Sequence, residues 1–228
     1  MLQVPEGMAT GCLPRETRYG EICAKLEDSI DVIPRDKWAD IIGDVVLEPY
    51  VFRIFSQGSV GSCAWESTSQ GWSMINEVAG NPSVLLNPWG GYAYTSGGRD
   101  RGSNIDRDLE FARDVGILPE EFWPRRGPNK NPWNRKPPMD LFEKHGVKID
   151  EFYDIGSIDE VGTALLRGFP VVYGWSGHSC VLTSLHDKNT AIYANSWGTD
   201  WGDKGFGKIA LNRINFGYGA FAVRTITS

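Results

Sequence analysis

Gln57-Gly58-Ser59-Val60-Gly61-Ser62-Cys63-Ala64-Trp65 sets a single thiol at the end of a tight Gly- and Ser-rich turn, where a helical pattern begins. From Cys63 onward, Ala64, Ser67, Gly71, Met74, Ile75 and Val78 recur at spacings of three and four. This predicts a helix over 63–78, buried through the middle of a domain. Ser59 and Ser62 supply N-cap chemistry, and Gly80-Asn81-Pro82 supplies a stop. A cysteine in the first turn of a helix lies where free backbone N–H groups and the helix dipole favour thiolate over thiol. A neighbouring imidazolium would lower its pKa further, from ~8.5 toward ~3–4.

Two downstream segments complete a set. Ser176-Gly177-His178 precedes an apolar run containing Val181 and Leu182, and Asn195-Ser196-Trp197-Gly198-Thr199-Asp200-Trp201-Gly202 follows 17 residues after His178. That separation suits two adjacent antiparallel strands joined by a turn at 187–189, which would let the Asn195 side-chain oxygen accept the imidazole N–H and fix the ring's tautomer. Gln57, Cys63, His178 and Asn195 thus occur in the order, and in the local contexts, of the papain-like (C1-type) cysteine peptidases, which the chain resembles over about residues 31–228.

The resemblance implies an α+β protein. A largely helical half, at about 55–145, and a β-sheet or barrel half, at about 150–228, would flank an active-site cleft, with residues 1–30 as an N-terminal extension. It implies peptide-bond hydrolysis by a Cys63 nucleophile, His178 as base, Asn195 as the group that orients it and Gln57 as an oxyanion donor. His186 is the alternative base. Trp197 would shield the His178–Asn195 bond and line the substrate site. Gly97 and Gly98 resemble the strip that pairs with substrate backbone, although 35 residues after Cys63 is slightly short for the family. No metal or organic cofactor is called for. An amidase or peptidoglycan hydrolase with the same triad, or a papain-fold structural component of a viral particle, are the other readings.

The chain departs from the family in two places. Ala64-Trp65-Glu66 stands where the family usually has Trp-Ala-Phe. Val60 and Thr95 stand where secreted members carry a disulfide, which suits a reducing compartment. The four cysteines (Cys12, Cys23, Cys63 and Cys180) show no paired spacing, so free thiols are expected, with Cys12–Cys23 as the alternative pair.

Composition agrees with a globular protein: 228 residues, 41% hydrophobic and 23% charged. A net charge of −6 argues against nucleic acid or an anionic membrane as partner and leaves a polypeptide substrate, with a virion or host-protein partner open. The N-terminus shows no secretory pattern, and no run reaches the ~18 apolar residues of a membrane span. A cytoplasmic, bacterial or phage product, virion-associated in one reading, is therefore expected. Further helices are expected at 105–114 and 158–167, and strands at 170–174, 178–185, 190–195, 205–211 and 220–226. Late in the helical half, residues 124–138 hold five prolines and five cations without an acid, which reads as a solvated loop or as a lid or exosite beside the cleft.

Overall fold

Alternation along three strands gives the architecture its two cores. Val172, Val181, Phe221 and Val223 face one way, and Val171, Tyr173, Cys180, Leu182, Ala220 and Ala222 face the other. A sheet apolar on both faces must be covered on both. A computed structural model, describing residues 3–224, shows how. Its elements are β1 (Cys12–Leu13), α1 (Leu26–Ser29), α2 (Cys63–Val78), β2 (Leu86–Asn87), α3 (Pro88–Thr95), β3 (Ser103–Asn104), α4 (Ile105–Asp114) and β4 (Leu118–Pro119). There follow α5 (Met139–His145), β5 (Glu151–Asp154), α6 (Ile158–Leu166), β6 (Val171–Trp175), β7 (His178–Asp187), β8 (Thr190–Ala194), β9 (Phe206–Ala210) and β10 (Ala220–Arg224).

The main sheet is antiparallel in the order β5-β10-β6-β7-β8-β9. One face packs on α2, which is buried on all sides from Cys63 to Ile75 and carries α3 and α4 against its other flank. The opposite face packs on α6 and on Trp38, which is fully buried and donates its Nε1–H to Ile33 O. The fold is therefore α+β, with helices largely preceding strands.

Local chemistry explains the boundaries. α6 begins with a reciprocal cap, in which Ser157 Oγ accepts the Glu160 N–H and donates to Glu160 Oε1. The expected helices at 63–78 and 105–114 have those bounds, and the third ends one residue earlier, at Leu166. In the last expected strand, residues 225–226 lie outside the described residues. Ser62 is the N-cap residue of α2 but makes no side-chain cap, because its hydroxyl donates to Glu66 Oε1 instead. Segment 1–30 is more than an appendage: β1 pairs in parallel with β3, and Arg15 grips Asp154 at 3.0 and 2.6 Å. Among the described residues no helix is long and apolar enough to cross a membrane.

α6 approaches Trp38 so closely that a Cβ at Gly162 would lie 2.0 Å from the indole. Gly162→Ala should therefore destabilise the protein by about 1–3 kcal/mol, as overpacked cores do. Thermal unfolding should show Tm falling by several degrees.

Candidate active site

The first residue of α2 is Cys63, and the strand that faces it begins at His178. β6 and β7 are joined by Ser176 and Gly177, both at positive φ (48° and 80°), with Trp175 paired to His178. A two-residue turn of this kind suits the twist of a hairpin and brings His178 to its tip. Ser67 of α2 and Ser179 of β7 place their hydroxyl oxygens 2.6 Å apart, which ties the helix of the thiol to the strand of the imidazole.

β7 pairs with β8 so that Val181 faces Ala194. The same register carried past the strand end sets Asn195 across from Cys180 and Trp197 across from His178. Asn195 Oδ1 lies 2.7 Å from His178 Nε2 and also accepts the Ser196 N–H at 2.8 Å. An atom that accepts from a backbone amide is the amide oxygen, so the Nε2 facing it carries the proton. That leaves Nδ1 as the ring's lone pair, and it has no hydrogen-bond partner. Trp197 stacks on the imidazole at 4.4 Å and covers this bond.

Gln57 is held by its neighbours. Its N–H donates to Ser196 O (2.9 Å), Ser196 Oγ donates to its Oε1 (2.5 Å), and its Nε2 donates to Val60 O (2.8 Å). A further bond from Nε2 goes to Ala9 O at 3.2 Å, an acceptor shared with Trp197 Nε1 at 3.2 Å.

Ala9 belongs to a strap that fills the cleft. Its N–H donates to Gly58 O, the N–H groups of Gly11 and Cys12 donate to Gly177 O, and Gly11 O accepts from Ser103 N–H. Both halves therefore hold the strap, and a Cβ on Gly11 would lie 2.0 Å from Gly61 O. Sequence reasoning passed over this segment because nothing in 1–30 has a repeating pattern. Its only signal was a glycine-flanked stretch without periodicity.

The strap changes the electrostatics. Cys63 is fully buried, and burial pushes its thiol up to about 12, although backbone hydrogen bonds from Ser179, Gly11 and Ala64 pull the other way. The expected thiolate is not what this closed state favours, because desolvation outweighs the helix terminus. Burial also pushes His178 down to about 4, against the hydrogen bond to Asn195 that raises it. Burial thus favours the neutral form of both groups.

The structure brings Gln57, Cys63, His178, Asn195 and Trp197 into one region. Gly97 and Gly98 are not in the strand that pairs with the strap; they turn the chain after α3, and Gly102 and Ser103 take the place beside Gly11. His186 lies exposed near the far end of β7, with Nε2 3.1 Å from Lys208 Nζ. His145 stacks on Phe122. All four cysteines are free.

This arrangement is the papain-like cysteine peptidase fold. No family model matches the sequence. The chain is 23% identical over 207 residues to an uncharacterized peptidase C1-like protein of Acanthamoeba polyphaga mimivirus, covering 71% of this chain and 65% of that protein. Xylellain, a cysteine protease from Xylella fastidiosa, superposes over the whole of both chains with a TM-score of 0.73 at 17% identity. The proform of Amb a 11, a cysteine protease of ragweed pollen, gives 0.65 at 17% identity, over 88% of this chain and 71% of its own. Procathepsin L 3 of the Tenebrio molitor larval midgut gives 0.63 at 16%, over 79% and 69%.

The His178 shift has a stability consequence with a definite sign. Its folded pKa lies below the ordinary 6.5, so the unfolded chain takes up the proton first as pH falls. His178 leaves stability intact above about 6.5 and withdraws it as pH drops toward 4, by an amount on the order of 3 kcal/mol. Melting curves of wild type and His178→Gln should diverge over that window, with the wild type losing more.

Proposed function

We propose that this chain is a cysteine peptidase that cleaves polypeptides through a Cys63 thioester, and that residues 9–12 hold it latent. His178 is base and acid, Asn195 orients it, and Gln57 is an oxyanion donor. The observation that carries the reading is the His178 tautomer. With Nε2–H directed to Asn195 Oδ1, the free lone pair sits on Nδ1, the ring atom left to take a proton from a thiol.

Water entering an opened cleft would lower the cost of the charged forms of both groups. The Cys63 proton then moves to Nδ1, and the thiolate attacks the substrate carbonyl carbon. Gln57 Nε2–H and the Cys63 backbone N–H hold the charge that develops on oxygen. The C–N bond breaks as Nδ1–H protonates the leaving amine, leaving an acyl thioester on Cys63. His178 next removes a proton from water, whose oxygen attacks the thioester, and the proton returns to the sulfur as the acid leaves. Support for latency comes from Ala9 O, which takes the Gln57 Nε2–H that an oxyanion would need.

Gly11→Val should expel the strap, since no side chain fits against Gly61 O. Iodoacetamide should then alkylate Cys63 roughly tenfold faster or more than in wild type, where labelling waits on local opening. The same variant should cleave an unfolded polypeptide, and adding Cys63→Ser should abolish both effects. Equal labelling rates would remove the latency; rapid Cys63 labelling without any cleavage would remove the peptidase reading.

In the opened form, Asn195→Ala should lower turnover about 10²-fold, in the range of general acid–base contributions. Alkylation of Cys63 should remain measurable, because Asn195 orients the base without reacting. Unchanged turnover would place the orienting group elsewhere.

A further inference from the structure

Arg125 comes from the Pro-rich loop at 124–138, yet it is only 4% exposed. Its Nη1–H donates to Glu66 Oε2 at 2.8 Å, its Nη2–H donates to Ser56 O at 2.6 Å, and its guanidinium lies 4.4 Å over the Trp89 ring. Glu66, whose side chain is fully buried on α2, uses its other oxygen to accept from Ser62 Oγ at 3.0 Å. Ser62 Oγ in turn accepts from Trp89 Nε1 at 3.3 Å. Ser56 is the residue before Gln57, and Ser62 is the residue before Cys63. The network thus clamps the peptide on the N-terminal side of each group.

A buried ion pair is a costly way to fill such a space. Removing two charges from water costs several kcal/mol per ion, and apolar side chains of similar volume commonly serve stability as well or better. What an apolar pair cannot do is hold the Ser56 carbonyl, which needs a donor aimed at it. A planar guanidinium can meet a carboxylate and a carbonyl at once from fixed directions, and an ammonium cannot reproduce that fork.

We infer that Arg125 is a positioning residue for the proposed reaction: through Ser56 O and Glu66 it sets Gln57 against Cys63, so the Pro-rich loop is part of the active-site frame rather than a solvated loop or a lid. Its catalytic consequence rests on the peptidase reading above. A donor displaced by about 1 Å can cost on the order of 10²-fold in rate.

The test compares Arg125→Met, Arg125→Lys and the double variant Glu66→Leu/Arg125→Met, each in the full chain and each also with Gly11→Val. Arg125→Met leaves Glu66 buried and alone, so its Tm should fall; the double variant removes both charges and should recover Tm. With Tm recovered, kcat for a peptide substrate should stay down by about 10- to 100-fold, with KM within about twofold and iodoacetamide alkylation little changed. Arg125→Lys should fall between, since one ammonium reaches one acceptor well. A double variant that regains kcat along with Tm would reduce Arg125 to a stability role.

Hydrogen exchange gives a second readout that needs no turnover. The Gln57 and Gly198 amides, which bind Ser196 O and Phe55 O, should exchange faster in the double variant while α2 stays protected. Unchanged exchange at both would overturn the positioning role even if the peptidase reading failed. Faster exchange in a chain that cleaves nothing would uphold the frame and remove only its catalytic consequence.

Discussion

Everything in this protein is arranged around one buried helix. α2 lies between one face of the sheet and the helices α3 and α4, with no face left to water over its first three turns. A helix in that position must match its surroundings in polarity as well as shape. Ser67 meets Ser179 on the sheet side, Trp65 Nε1 meets Thr95 Oγ1 on the helical side, and Glu66 meets Arg125 from the Pro-rich loop between β4 and α5. Each contact fixes the N-terminus of the same helix, and that terminus is Cys63. The thiol is therefore placed by core packing rather than by a mobile loop.

The second constraint is electrostatic. A thiol at a helix terminus near an imidazole is a pair whose charged form depends on water or on a polar occupant of the cleft. Burial raises the Cys63 thiol and lowers the His178 imidazole, so the packed cleft favours the neutral form of each. The same strap carbonyl accepts from Gln57 Nε2 and from Trp197 Nε1, so one short segment touches Gln57 and the indole stacked on His178 together.

Much of this was legible in the residues themselves. Spacings of three and four mark α2 to its observed ends, because small residues such as Ala64, Ser67 and Gly71 let the helix lie close against the sheet. The 17-residue step from His178 to Asn195 encodes a hairpin, whose period of two brings both side chains to one face. Those are local rules, and α4, α6 and the strands β6 to β10 follow them, whereas the edge strand β5 is too short to show one. The three-residue capping signature at Ser157–Glu160 is likewise local, and it fixes where α6 starts.

Other features have no local signature. Gly97-Gly98 and Gly102-Ser103 look alike as sequence, and only tertiary distance separates the turn after α3 from the strand beside the cleft. Glu66 and Arg125 stand 59 positions apart and read alone as a misplaced acid and a loop cation. Burial joins them, because neither can be desolvated without the other. Residues 9–12 carry no repeating pattern because a strap bonded by its backbone places few demands on its side chains, beyond forbidding one at Gly11 and burying a small one at Cys12. The residue types by themselves determined the fold and the identity of the candidate reacting groups. Only the tertiary structure decided that the cleft is filled and those groups uncharged, since desolvation belongs to the packed molecule and to no residue alone.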